Sequence, residues 1–190
     1  MKRLIRLSWR RFFLTALISV SMTAVAGAAL AGGTLRVASM GEPASLDPHK
    51  VSGTWENYVV GDMFVGLTTE NPKAEPIPGV AESWTVSEDG KTYTFKLRES
   101  SWSDGTPMTA NDFVFSMQRI LDPDTAAEYA SLLYIIEGAE AVNKGEAKPE
   151  SLSVKALDDQ TLEIKLVGPA PYFLALLTHY TAYPVPKHVI

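Results

Sequence analysis

The chain has 190 residues, enough for one domain with a real core, and its 46% apolar content is ordinary for a globular protein. It has no cysteine, which excludes a disulfide framework and a thiolate metal site. The net charge of -5 hides an asymmetry: Lys2, Arg3, Arg6, Arg10 and Arg11 all precede position 12, leaving 12 basic against 22 acidic residues beyond them, a balance that disfavours nucleic acid as a partner.

The basic start is followed by the apolar run from Phe12 to Leu30, which ends in Ala29-Leu30-Ala31. A basic region, an apolar region and a small-x-small end make a secretory signal peptide, so residues 1–31 are expected to be cleaved before Gly32. The run is nearly long enough to span a bilayer, but Thr15, Ser19, Ser21, Thr23 and Gly27 interrupt it, which favours cleavage over a retained anchor. Arg10-Arg11-Phe12-Phe13-Leu14 resembles a twin-arginine signal, with Trp9 and Thr15 departing from it; Sec and twin-arginine export both remain open. Either route places the mature chain outside the cytoplasmic membrane.

Leu35 and Val37 alternate with polar neighbours and predict a short strand over 34–39. Gly41-Glu42-Pro43 and Leu46-Asp47-Pro48-His49 form a loop. Thr54 is the expected cap of a helix whose inner face is Trp55, Val59, Met63 and Phe64 or Leu67. A proline-rich loop covers Asn71 to Gly79. Trp84 and Val86, then Tyr93, Phe95 and Leu97, alternate on either side of Glu88-Asp89-Gly90-Lys91, which predicts a β-hairpin with one buried face. After the turn-rich Trp102 to Pro107, Thr109 and Asp112 form a capping box. Ala110, Phe113, Val114, Met117, Ile120 and Leu121 then share one helical face, and Asp122-Pro123 stops the helix. Tyr129 to Ile136 suggest a short helix or turn, followed by a helix containing alanine and glutamate. Leu152, Val154 and Ala156 alternate, as do Leu162, Ile164 and Leu166, giving a second hairpin across Asp158-Asp159-Gln160. Tyr172 to Leu177 begins a further helix. The expected class is α+β, a mixed sheet of antiparallel hairpins with packed helices.

No catalytic constellation emerges from the residues. Gly90-Lys91-Thr92 imitates the end of a phosphate loop, but the required first glycine falls at Thr85 and the context is a hairpin. Neither G-x-S-x-G nor H-E-x-x-H occurs. His49, His179 and His188 are far apart and read as loop or core residues. Asp158-Asp159 and the Asp122/Asp124 pair lack the alternating acids of a calcium loop and read as turn acids. The aromatics Trp84, Tyr93, Phe95, Trp102, Phe113 and Phe115 read as core.

The ordered run Ala81-Glu82-Ser83-Trp84, then Phe95-x-Leu97-Arg98, then Trp102-Ser103-Asp104-Gly105-Thr106-Pro107, then Thr109-Ala110-x-Asp112-Phe113, then Pro123, resembles the extracytoplasmic solute-binding proteins of family 5, which serve peptide ABC transporters. Asp122 to Ala126 with Tyr129-Ala130-Ser131, and Pro171 to Leu174 with Pro184 to Lys187, look most like its oligopeptide-binding branch. The resemblance implies the N-terminal fragment of a two-lobed periplasmic binding protein, type II and cluster C-like. Residues 32–64 would be the first segment of the ligand-binding lobe, 65–188 a scaffold subdomain, and 189–190 the start of the return to the ligand lobe. It implies binding of an extended oligopeptide through main-chain groups, and delivery to an inner-membrane ABC permease with its ATPase subunits. It implies a periplasmic monomer that is not an enzyme, with no cofactor, no metal and no nucleic acid. By the family pattern the ligand-binding residues are Ser52, Gly53 and Thr54 through backbone groups, and Tyr129 facing the cleft; Ser52 stands where the oligopeptide binders have an acid. The alternatives are a family member for dipeptide, murein peptide, haem, nickel chelate or glutathione, an exported hydrolase, and a non-functional truncation.

Overall fold

Alternation along Thr92–Leu97 organises the structure, a computed structural model that describes Thr34 and residues 36–190. In this strand, β4, Tyr93, Phe95 and Leu97 are buried while Thr92, Thr94 and Lys96 occupy the opposite face. β3 (Ala81–Val86) pairs antiparallel with it, placing Trp84 opposite Phe95, with ring centroids 6.3 Å apart. The connecting turn closes on Gly90, whose φ of 70° is the left-handed conformation that glycine adopts without strain. On the other side of β4 lies β6 (Thr161–Lys165), and beyond it β5 (Val154–Asp158), so the antiparallel order is β3–β4–β6–β5. A separate pair, β1 (Thr68–Glu70) and β2 (Pro76–Pro78), forms a second small sheet. The expected antiparallel hairpins are therefore present. Asp158 and Asp122 act as the expected turn acids, accepting from the amides of Gln160 and Asp124.

One helix covers the apolar face of the larger sheet. The capping residues set its start: the Thr109 N–H donates to Asp112 Oδ2 at 2.8 Å. The helix, α2 (Ala110–Leu121), turns Ala110, Phe113, Met117, Ile120 and Leu121 inward at 0 or 1% exposure. They join Tyr93, Phe95, Leu97, Leu162 and Ile164 in one core. Each fully buried large side chain of this kind contributes about 1.5–3 kcal/mol over its exposed state. Asp122-Pro123 ends α2 as expected. A 3₁₀ turn over Ala130–Ile135 and the short helix α3 (Ala139–Asn143) close one side of the core. The single-turn helix α4 (Phe173–Leu176) adds Phe173, whose ring meets Tyr93 edge-on at 5.0 Å.

Three expectations are corrected. The stretch from Asn71 to Gly79 is not all loop, because Pro76–Pro78 pairs antiparallel with Thr68–Glu70 as β2. Arg36–Ser39 carry no strand, and Val37 is 81% exposed; a strand needs a hydrogen-bonded neighbour, and none pairs with this segment among the described residues. The expected helix near Thr54 exists as α1 (Thr54–Met63), but Gly53 is its N-cap and its buried residues are Glu56 and Val60. Trp55 and Met63 are 37% and 52% exposed. The inward face is decided by the Glu56 carboxylate, which folds back onto the preceding loop. The segment 1–31 read as a signal peptide lies outside the described residues, as does Leu35. Residues 39–190 form one compact unit.

Candidate ligand-facing site

The loop before α1 is held by a carboxylate. Glu56 is 4% exposed, so its charge must be answered by donors. The Ser52 and Gly53 N–H groups donate to Oε2 at 3.1 and 2.7 Å, and the Ala44 N–H donates to Oε1 at 2.8 Å. These bonds, that from Gly53 first, hold the Glu56 pKa below its ordinary value. The Gly53 carbonyl accepts from the Asn57 N–H at 3.0 Å, so both main-chain groups of Gly53 are engaged. A Cβ at Gly53 would lie 3.0 Å from the side chains of both Glu56 and Trp55, so a larger residue there would require those side chains to shift.

The four residues expected to bind ligand fall into two groups. Ser52 and Tyr129 are brought together across 77 positions, the Tyr129 hydroxyl standing 3.5 Å from the Ser52 carbonyl oxygen. At that length the contact is loose. Tyr129 is 38% exposed, and its ring stands edge-on to His179 at 5.6 Å and to Tyr180 at 6.1 Å. Thr54 is exposed in the first turn of α1, and Gly53, its half-buried N-cap, already has its N–H and carbonyl engaged by Glu56 and Asn57. The Tyr180 ring is buried, and its phenol is pushed up to about 12 by desolvation, with further charge from Tyr129, Glu56 and Glu128. The His179 Nδ1 accepts from the Thr181 hydroxyl at 2.7 Å, and burial lowers the His179 pKa. Beside this aromatic group runs an open groove of about 560 Å³ lined by Asn57, Tyr58, Asp62, Glu70 and Thr178, among others.

A second cluster fixes the segment that leads into the loop. Arg119, in the last turn of α2, makes a two-pronged contact with Asp47: Nη2 donates to Oδ2 at 2.6 Å and Nη1 to Oδ1 at 3.1 Å. The His49 N–H donates to the same Oδ1 at 3.0 Å. The His49 ring, 2% exposed, lies between Arg119 Nη1 at 2.9 Å from Nδ1 and the Tyr183 carbonyl at 3.1 Å from Nε2. A guanidinium can only donate, so Nδ1 is the bare acceptor and Nε2 carries the proton. Burial, first, and the adjacent guanidinium push His49 down to about 4, against the opposing pull of the Tyr183 carbonyl and Asp47. Burial works to raise the Asp47 pKa, but the bonds from Arg119 and the His49 amide outweigh it and hold the carboxyl below its usual range. Asp47 and His49 are legible only as loop residues, and nothing in the spacing singles out Arg119. A lone histidine and an arginine 70 positions away leave no periodic signal.

Comparison with known proteins agrees with this architecture. Residues 75–189 match the sequence model of the "Bacterial extracellular solute-binding proteins, family 5 Middle". The chain belongs to family 5 of the bacterial extracellular solute-binding proteins. It is 49% identical over 152 residues to the periplasmic oligopeptide-binding protein OppA of Escherichia coli K12, covering 78% of this chain and 28% of that protein. To the periplasmic murein peptide-binding protein MppA of the same organism it is 46% identical over 149 residues, covering 77% of this chain and 28% of the other. Among solved structures, Haemophilus influenzae OppA in complex with the peptide RPPGFSPFR superposes with a TM-score of 0.76 at 44% identity, over 78% of this chain and 29% of that one. These structural relatives are two-lobed periplasmic binding proteins, and the chain spans less than a third of their length. The family and these relatives are binding proteins rather than enzymes.

Proposed function

We propose that the chain is part of a periplasmic oligopeptide-binding protein that captures extended peptides and delivers them to an inner-membrane ABC permease with its ATPase subunits. The observation that carries this reading is the meeting of Ser52 and Tyr129, two segments far apart in sequence, at an exposed edge of a family 5 scaffold. In this reading residues 32–64 begin the ligand-binding lobe and residues 65–188 form the scaffold subdomain. The Ser52 carbonyl and the main chain of Thr54 offer hydrogen bonds to an extended backbone, which gives affinity largely independent of side chains. Gly53 supplies room for that backbone, since its own groups are taken by Glu56 and Asn57. Tyr129 supplies an amphipathic wall, its ring braced by His179 and Tyr180. The protein works as an exported monomer, reaches the periplasm by a cleaved signal peptide at 1–31, and performs no chemistry on its ligand.

The test is titration of the full-length protein with an equimolar tripeptide mixture, followed by calorimetry, with chromatography of the recovered peptides. Saturable binding with peptides returned intact is the expected result. Cleaved peptides would replace this reading by a hydrolase, and selective retention of a murein tripeptide over other tripeptides would narrow it to the murein branch.

A further inference from the structure

The cluster of Asp47, His49 and Arg119 joins three chain segments that are distant in sequence. Asp47 and His49 precede the ligand-facing loop by three to five positions, Arg119 lies in the last turn of the helix that covers the core, and Tyr183 follows the 3₁₀ turn Tyr180–Ala182. Every polar contact within it is directional. Arg119 spans Asp47 with both Nη atoms and reaches His49 with one of them, and His49 passes its single ring proton on to Tyr183. The side chains of Arg119 and Asp47 are 14% and 21% exposed, so water competes poorly for these bonds. A second support, Glu56, fixes the far side of the same loop through Ala44, Ser52 and Gly53. The loop is thus pinned by two carboxylates; the end at Asp47 is tied to the scaffold by charged hydrogen bonds, and the end at Ser52 by the packing of Val51 against Tyr180 and the loose contact with Tyr129.

We propose that the Arg119–Asp47–His49 cluster is a latch that positions the ligand-facing loop, so that Arg119, which lies on the scaffold helix, sets peptide affinity through Asp47 and His49. This rests on the peptide-binding reading of Ser52, Thr54 and Tyr129. The latch keeps the Ser52 carbonyl beside Tyr129 before the ligand arrives. When the latch is lost the loop samples other positions, and the apparent Kd rises by the inverse of the fraction still in place. An arginine is required rather than a lysine, because only a planar fork can span both carboxylate oxygens and still reach an imidazole.

The experiment uses the full-length exported protein with trialanine as the probe, in wild type, Arg119→Lys and Arg119→Met. Calorimetry gives Kd, thermal melting gives stability, and ¹⁵N spectra of the histidine rings give the tautomer of His49. The expected result is a Kd about tenfold weaker in Arg119→Met and a smaller loss in Arg119→Lys, measured at a temperature where melting shows both variants folded. In wild type, His49 is expected as the neutral Nε2–H form. Wild-type affinity in both variants would overturn the latch and leave the peptide-binding reading standing. A wild-type His49 carrying its proton on Nδ1 would overturn the latch without use of any variant, which covers the case in which Arg119→Met does not fold. A wild type that binds neither trialanine nor any member of a tripeptide mixture would overturn the peptide-binding reading, and the latch with it.

Discussion

Acid should destabilise the fold through His49 in a manner that can be calculated. The imidazole is held neutral, its pKa about 4 in the folded state against 6.5 for the free side chain. On acidification the unfolded chain therefore takes up the proton first. The stability due to the neutral, bonded ring is fully present above about pH 6.5 and is lost as the pH falls toward about 4. By about pH 5 the loss amounts to about 2 kcal/mol, with one pKa unit worth about 1.4 kcal/mol. Urea unfolding followed by tryptophan fluorescence at pH 7, 6 and 5 measures the wild-type slope, and His49→Gln serves as the control. His179 also has a lowered pKa and adds a slope of the same sign, but it is common to both proteins. The difference between them isolates His49. If the two proteins lose stability in parallel from pH 7 to 5, the ring is not held neutral by Arg119 and Tyr183, and the geometry given for the cluster is wrong.

Four further outcomes follow from the local geometry. Glu56→Gln removes the charge that three amides share, so hydrogen exchange at Ala44, Ser52 and Gly53 should accelerate while exchange in β4 and α2 is unchanged. Gly138 has a φ of 90°, and a Cβ there would sit 2.8 Å from the Ser151 carbonyl oxygen, so Gly138→Ala should cost about 1–3 kcal/mol by thermal melting. Gly61→Ala, where a Cβ meets nothing within 4 Å inside α1, should instead stabilise by about 0.5–1 kcal/mol. The Asp104 carboxylate is held at about 2 by the hydrogen bond from His188 first and the Thr106 amide second, so its NMR titration should move back toward 3.8 in His188→Ala. The stability this carboxylate adds is present above about pH 3.8 and is lost as the pH falls through about 2.

The parts of the fold written in local sequence were readable, and the parts written between distant residues were not. Tyr93, Phe95 and Leu97 announce a half-buried strand because their period of two matches the pleat, and Thr109 with Asp112 announces α2 because a cap is satisfied within four residues. The two hairpins and the proline stop at Asp122-Pro123 are local for the same reason. α1 was placed correctly but turned to the wrong face, since its orientation depends on Glu56 reaching back over Gly53 and not on an apolar stripe. The strand expected over 34–39 needed a partner that its own alternation could not supply. Ser52 and Tyr129 came from family resemblance rather than from spacing. The cluster that steadies their loop joins residues 72 positions apart and has no pattern in the sequence at all.

The most direct test of the central claim is native mass spectrometry of the full-length protein purified from the periplasm of its own host without refolding. The account predicts a complex that releases a mixture of short peptides on gentle activation, with the peptide-free form appearing as they leave. Haem, a metal chelate or a single non-peptide solute in the released fraction would contradict it.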